Sequence, residues 1–219
     1  MNLSESEENY IKSIYNLQEK TGKVNTNSLA KFLNTSAASI TDMLKKLKLK
    51  KLLEYKRYYG FSLNEAGKKE ALKIIRRHRL WEFFLVTKLG MKWEKVHDVA
   101  EELEHVSSIE LIEKLNTYLG NPKIDPHGEP IPDAKGNMPV LKQIALKDLP
   151  LKQNAAVSSV SNQTPEMMEM LNHYNIGIGS QIKVLKSFGF DGSLEIKLYR
   201  KPGCIISGVI AQNIFVYDN

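Results

Sequence analysis

The 219-residue sequence predicts a mainly α chain with a small β component, on three observations. Apolar residues recur at helical spacing from Glu7 to about Leu119, interrupted by one short hairpin pattern near residues 52–63. Residues 120–139 hold five prolines together with Gly120, Gly128 and Gly136, too many for a helix or an inner strand. Beyond them the period shifts toward the two-residue alternation of strands. Three modules are expected, spanning residues 1–64, 65–140 and 141–219.

In the first module, "EENYIKSIYNLQE" puts Tyr10, Ile11, Ile14, Tyr15 and Leu17 at helical spacing, with Ser4 or Ser6 available as a cap. "TNSLAKFLN" is a short second helix, and after the turn "TSA" the stretch "SITDMLKKLKLKKLL" is a third. "LLEYKRYYGFSL" reads as two short strands around a turn at Tyr58–Gly60. Helix, short helix, turn, longer helix and hairpin is the order of a winged helix-turn-helix. The third helix opens with small or polar residues, Ser36, Ala37, Ala38, Ser39, Thr41 and Asp42, while Ile40, Met43, Leu44 and Leu47 supply its buried stripe. Such a helix can sink into the major groove of DNA, with Thr26 at the head of the second helix as a further contact. Lys45, Lys46, Lys48, Lys50 and Lys51, with Lys56 and Arg57 in the wing, would hold the phosphate backbone.

The charge distribution points the same way. Residues 1–80 carry 17 Lys and Arg against 8 Asp and Glu, a balance of +9, whereas the whole chain is only +6. A basic third of a chain is suited to a polyanion, because Lys and Arg release counterions from phosphates. A merely solvated face of lysines is the alternative. No run approaches the ~18 apolar residues of a membrane span, and the start "MNLSESEENY" has no basic or apolar leader pattern, so a soluble cytoplasmic protein is expected. The only cysteine is Cys204, which excludes an intrachain disulfide and any cysteine-rich metal site.

In the second module, "EAGKKEALKIIRRHRLWEFFLVTKL" is a long helix with Leu72, Ile75, Leu80, Phe83 and Phe84 as its apolar face and "RRHR" toward the DNA-binding module. Amphipathic helices follow at about 94–106 and 108–119. Trp81, Phe83, Phe84, Leu111 and Leu115 are more apolar surface than one copy needs, which predicts a homodimer. The third module, with "GSQIKVLKSF", "SLEIKLYR" and "CIISGVIAQNIFVYD" as strand-like runs and a short helix at "TPEMMEML", is expected to be a small antiparallel SH3-like barrel.

The run "KVHDVAEELEHVSS" carries the chemistry. At 3.6 residues per turn, His97, Glu101, Glu104 and His105 project within an arc of roughly 100°. His78 and Glu82 sit one turn apart on the preceding helix. Imidazole and carboxylate without thiolate suit divalent manganese, iron, cobalt, nickel or zinc. One set can be drawn as Glu101, Glu104 and His105, and a second as His78, Glu82 and His97. Catalysis is a minor reading: H-E-x-x-H, a glycine-rich phosphate loop, G-x-S-x-G and a cysteine placed near a histidine are all absent, and there is one Glu-x-x-His unit where a di-iron bundle needs two.

"EENYIKSIYNL", "RRHRLWEFFL", "KVHDVAEELEHVSS" and "NPKIDPHGEPIP" together resemble the metal-dependent repressors of the diphtheria toxin repressor and manganese transport regulator (DtxR/MntR) family, over about 130 residues in family order. The C-terminal segment is similar to the SH3-like, FeoA-type domain of the longer members. The resemblance implies a repressor, not an enzyme, that binds a palindromic double-stranded DNA operator as a homodimer when Mn2+ or Fe2+ is bound, and that controls metal-ion homeostasis genes. No membrane and no small-molecule substrate are implied. It also implies a primary metal site of Glu101, Glu104 and His105 with Asn9, and an ancillary site of His78, Glu82 and His97 completed near Gln163 or Glu166. Iron-responsive members hold cysteine where Glu101 stands, so this chain leans toward manganese. Lys12 takes the place of a second acid found in short manganese regulators. The competing class is a winged-helix regulator of a small organic ligand or a protein partner, with no metal switch.

Overall fold

The computed structural model describes residues 3–56, 60–92, 95–161 and 164–217, apart from the side chain of Lys56. Arg57, the turn residues Tyr58 and Tyr59, and Gln163 lie outside the described residues. The chain divides into two compact units. The first comprises residues 1–85, 97–123 and 131–139, and the second residues 86–96, 124–130 and 140–219.

The first unit begins with α1 (Glu5–Thr21), started by a capping box in which Ser4 accepts from the Glu7 amide and Glu7 accepts from the Ser4 amide. Asn25 caps α2 (Thr26–Phe32) and Ser36 caps α3 (Ala37–Leu49) in the same side-chain-to-backbone manner. The wing pairs β1 (Leu53–Lys56) with β2 (Gly60–Leu63), antiparallel, Leu53 opposite Leu63. Gly60 has φ +87°, and a Cβ there would lie 2.2 Å from the Val24 carbonyl oxygen, so this position admits only glycine. Ile11 and Ile14 of α1, Leu29 of α2, Ile40, Leu44 and Leu47 of α3, and Leu63 of the wing are essentially solvent-free and form one core. Met43, expected in the same stripe, is only partly buried at its edge.

Helix α4 (Glu65–Thr87) leaves this core and runs into a second. Gly67 in its first turns is required there, despite its low helix propensity, because a Cβ would meet the Leu52 carbonyl oxygen at 2.3 Å. α5 (Val96–Val106) and α6 (Ile109–Tyr118) follow, the latter capped by Ser108. Leu80, Ile112, Leu115 and Ile131 form a small core, edged by Trp81 and Phe84, with the Trp81 indole donating to Ser107 Oγ at 2.7 Å. Of the set expected to be in excess, Trp81, Phe83 and Phe84 are half-buried and Leu115 is buried, whereas Leu111 is exposed, together with Val106, Ile109 and Tyr118 at the α5–α6 corner and along α6. Buried Arg76 donates to the Pro132 carbonyl at 2.8 Å and pairs with Glu113. Among the described residues no helix is long and apolar enough to cross a membrane.

The second unit holds a six-stranded antiparallel sheet of order β3-β8-β4-β5-β6-β7. Its strands are β3 (Gln143–Ala145), β4 (Asn154–Val160), β5 (Gln181–Ser187), β6 (Leu194–Leu198), β7 (Gly203–Ile206) and β8 (Ile214–Tyr217). Register shifts between Val157 and Ser159 and between Val184 and Lys186 bend it around a core that includes Leu146, Val157, Leu171, Ile182, Ile196 and Val216. α7 (Pro165–Tyr174), capped by Thr164, contributes Met167, Met168 and Leu171. Three parts of this unit depart from the sequence reading, the first being the short strand β3, which no predicted run covers. The run "CIISGVIAQNIFVYD" is not one strand: Ser207 caps a short helix, α8 (Gly208–Asn213), that separates β7 from β8. "NAAVSSV" is a strand despite its small residues, because β5 and β8 flank it on both sides.

α1 is tied to the end of α3 by the Glu7–Lys50 ion pair at 2.7 Å. Burial works against the Glu7 charge, but the hydrogen bonds and the charge from Lys50 and Ser4 hold its carboxyl below the ordinary value of 4.5. A depressed folded-state pKa contributes stability above the unfolded value and loses it as pH falls. Lys50→Met is expected to destabilise by about 1–2 kcal/mol at pH 7. The gap to wild type, measured by denaturant titration, should close as pH drops from about 5 toward 3.

Candidate metal centre and DNA-facing helix

Three helices of the first unit converge on Glu104. α5 presents His97, Glu101, Glu104 and His105 along one face, α4 presents His78 and Glu82 one turn apart, and α1 presents Glu8, Asn9 and Lys12. Glu104 is fully buried. Its Oε1 accepts from Lys12 Nζ at 2.6 Å and its Oε2 accepts from His78 Nδ1 at 2.7 Å. Lys12 Nζ also donates to Glu101 Oε2 at 2.6 Å. On the other side of His78, Nε2 lies 3.1 Å from Glu82 Oε1 and 3.0 Å from His97 Nδ1. His97 is the outermost of the set, with its side chain 67% exposed.

The electrostatics favour positive charge. Burial would lower the pKa of His78, but the hydrogen bonds and charges of Glu104 and Glu82 override it and push the imidazole up to about 9. Burial likewise disfavours the Glu101 anion, and Lys12 together with the histidines draws its pKa down. Among the described residues, two donor groups built on α5 have ligand atoms all within 4.8 Å of one another: Glu101, Glu104 and His105, and His78, His97 and Glu101. Glu101 belongs to both, with Glu82 beside the second. The sets drawn from the sequence as separate thus meet through Glu101 and through the His78–Glu104 contact.

Two of the expected ligand residues each have a buried polar atom with no hydrogen-bond partner: Asn9 Oδ1 and His105 Nε2. His105 Nε2 lies 3.6 Å from Glu104 Oε1, beyond hydrogen-bonding distance. Its other nitrogen, Nδ1, donates to Glu8 Oε2 at 2.7 Å, so Nε2 is the one left to act as a ligand. A bare imidazole nitrogen grouped with two carboxylates, and a bare amide oxygen on the helix packed against them, suit a divalent cation.

The other expected residues lie as follows. Ser36, Ala37, Ala38, Ser39, Thr41, Asp42, Lys45 and Lys46 are all exposed on α3, and Thr26 is half-buried at the first position of α2. Ser36 Oγ and Ser39 Oγ are 2.9 Å apart, Thr41 Oγ1 donates back to the Ala37 carbonyl, and Lys45 pairs loosely with Asp42. Glu166 is exposed in the first turn of α7, within the second unit.

Residues 2–61 match the family model of the iron-dependent repressor N-terminal DNA-binding domain, and residues 64–133 its metal-binding and dimerisation domain. Residues 144–218 match the FeoA domain. The chain is 35% identical over 120 residues to the HTH-type transcriptional regulator MntR of Oceanobacillus iheyensis, covering 55% of this chain and 81% of that protein. The chain belongs to the iron-dependent repressor family. It is also 32% identical over 130 residues to the iron-dependent repressor IdeR of Mycobacterium tuberculosis, which covers 59% of this chain and 56% of that protein. A solved manganese-dependent transcriptional repressor in complex with manganese superposes with a TM-score of 0.80 at 32% identity, over 97% of this chain and all of that one. The last two are an iron-dependent and a manganese-dependent repressor, and this chain matches both domain models of the iron-dependent repressor family.

Glu8 is a member of this centre that the sequence reading passed over. It reads as an ordinary first-turn acid favoured by the helix dipole, and only the fold brings it to His105 and, at 2.7 Å, to Arg77. Groups that orient a ligating imidazole are worth about 10–100-fold in metal affinity. Glu8→Gln is accordingly expected to weaken Mn2+ uptake about 10-fold or more, read by equilibrium dialysis, while the circular-dichroism spectrum stays that of wild type.

Proposed function

We propose that this repressor is switched by a divalent ion, Mn2+ or Fe2+, held by Glu101, Glu104 and His105 with the Asn9 side-chain oxygen, and by a second ion at His78, Glu82 and His97. The observation that carries the reading is the pair of unpartnered buried atoms, His105 Nε2 on α5, beside the Glu101 and Glu104 carboxylates, and Asn9 Oδ1 on α1. When bound, the ion supplies a Lewis-acid bridge between a helix of the DNA-binding module and a helix of the dimerisation module. The donors are nitrogen and oxygen only, and the carboxylate at Glu101 favours manganese over softer alternatives.

The chain's own residues do the rest. α1 shares its core with α3 through Ile11, Ile14, Ile40 and Leu44, so constraining α1 constrains the helix that faces DNA. In a homodimer, paired through the apolar residues exposed at the α5–α6 corner and along α6, the two α3 helices must stand about one DNA turn apart. Restricting their motion removes an ordering cost from operator binding. Reciprocally, operator DNA tightens metal binding by the same factor. Lys45 and Lys46 hold phosphates, and Ser36, Ser39 and Thr41 lie within reach of base edges and backbone. The protein acts in the cytoplasm on a palindromic operator of metal-homeostasis genes, and it is not an enzyme.

Glu104→Ala and His105→Ala are expected to remove at least 10-fold of the Mn2+-stimulated operator affinity measured by fluorescence anisotropy. Operator binding that responds to Mn2+ as in wild type, or that survives chelator undiminished, refutes the switch. Lys45→Ala should weaken binding to operator and random DNA alike and reduce the slope of log affinity against log salt by about 1 per protomer.

A further inference from the structure

We propose that Lys12 is an internal competitor for the metal seat, a tethered cation that a divalent ion must displace before the centre loads. The proposal rests on the metal reading given above and adds what sets its threshold.

Lys12 lies three residues after Asn9 on α1, on the face turned toward α5. Its side chain is only 13% exposed, and its ammonium sits 2.6 Å from Glu101 Oε2 and 2.6 Å from Glu104 Oε1. Both carboxylates are members of the donor group that includes His105. Glu104 has no oxygen to spare, because its Oε2 is taken by His78. An ammonium has three donors and no lone pair, so it cannot join a cation as a ligand. It can only occupy the place of one. A divalent ion drawing on Glu101 and Glu104 would meet a positive charge within contact distance in a poorly solvated site, and the two cannot share the same oxygens. The side chain can leave, because its four-carbon stem is flexible and its head is readily hydrated.

An ordinary surface ion pair would not have this consequence. Here both anions that Lys12 neutralises are the ones required elsewhere, and a bare donor atom, His105 Nε2, is grouped with them. Lys12 also links α1 to α5, the same two helices that the ion would join. Loading therefore exchanges one tie for another, and the free Mn2+ concentration at half-loading reports the difference between them.

The test is direct Mn2+ binding to the full chain, without DNA, by equilibrium dialysis and by electron paramagnetic resonance of free Mn2+. Lys12→Gln removes the competitor and is expected to lower the half-loading concentration at least 10-fold, whereas Lys12→Arg keeps a cation and should bind no tighter than wild type. In the wild-type protein, reductive methylation of the Lys12 amine, read by mass spectrometry, should rise severalfold on saturation with MnCl2; this arm stands even if the glutamine variant does not fold. Equal or weaker Mn2+ affinity in folded Lys12→Gln, or methylation of Lys12 unchanged or reduced by Mn2+, overturns the proposal while leaving the metal switch intact. No Mn2+ uptake by either wild type or Lys12→Gln overturns the metal reading and this proposal together.

Discussion

The centre is organised by one fully buried carboxylate. A charge withdrawn from water costs several kcal/mol unless it is paired and hydrogen-bonded, and a buried anion with one partner removed is worse than none. Glu104 meets that demand from two directions: Lys12 from α1 and His78 from α4. The packing of α1, α4 and α5 therefore depends on cations reaching one pair of oxygens. Any change in which cation does so is felt by all three helices.

That dependence is how a small ligand site can govern a distant surface. Helix α1 is shared property, since its buried isoleucines belong to the core that seats α3, and Glu7 grips Lys50 at the end of α3. Its polar face carries Glu8 and Lys12, which reach His105, Glu101 and Glu104 of the proposed metal centre. The exposed Ser36, Ser39, Thr41 and Lys45 of α3, proposed above to meet DNA, make local hydrogen bonds that bases, phosphates or water could replace. A rigid core on one side of α1 and an ionic centre on the other give the coupling a continuous physical route.

The C-terminal unit has its own closed core and is held together without reference to this chemistry. Bulges in β4 and β5 curve the sheet, and two short helices cover what the strands leave open. The turn at residues 125–129 belongs with this unit, where Gly128, at φ +84°, lets the backbone pass against Ser158 and Ser159. Proline and glycine there mark a tight local fit as much as a boundary.

Local pattern sufficed for the helices of the first unit and for the ligand face of α5, because 3.6-residue periodicity, caps and side-chain direction are properties of a few consecutive residues. It did not suffice for β3, β4 and α8, where short segments with small side chains acquire their structure from neighbours distant in the chain. The basic character of α3 was legible for the same local reason. The family resemblance marked Lys12 as out of pattern, but its position between two carboxylates nearly ninety residues away was not legible. Nor was the pairing of Glu8 with His105, because contacts between α1 and α5 exist only once two cores have packed. The sequence alone determined which donors stand together on each helix, by helical geometry. The tertiary structure decided which of them meet, and which cation stands among them, by the need to neutralise a charge that folding removes from water.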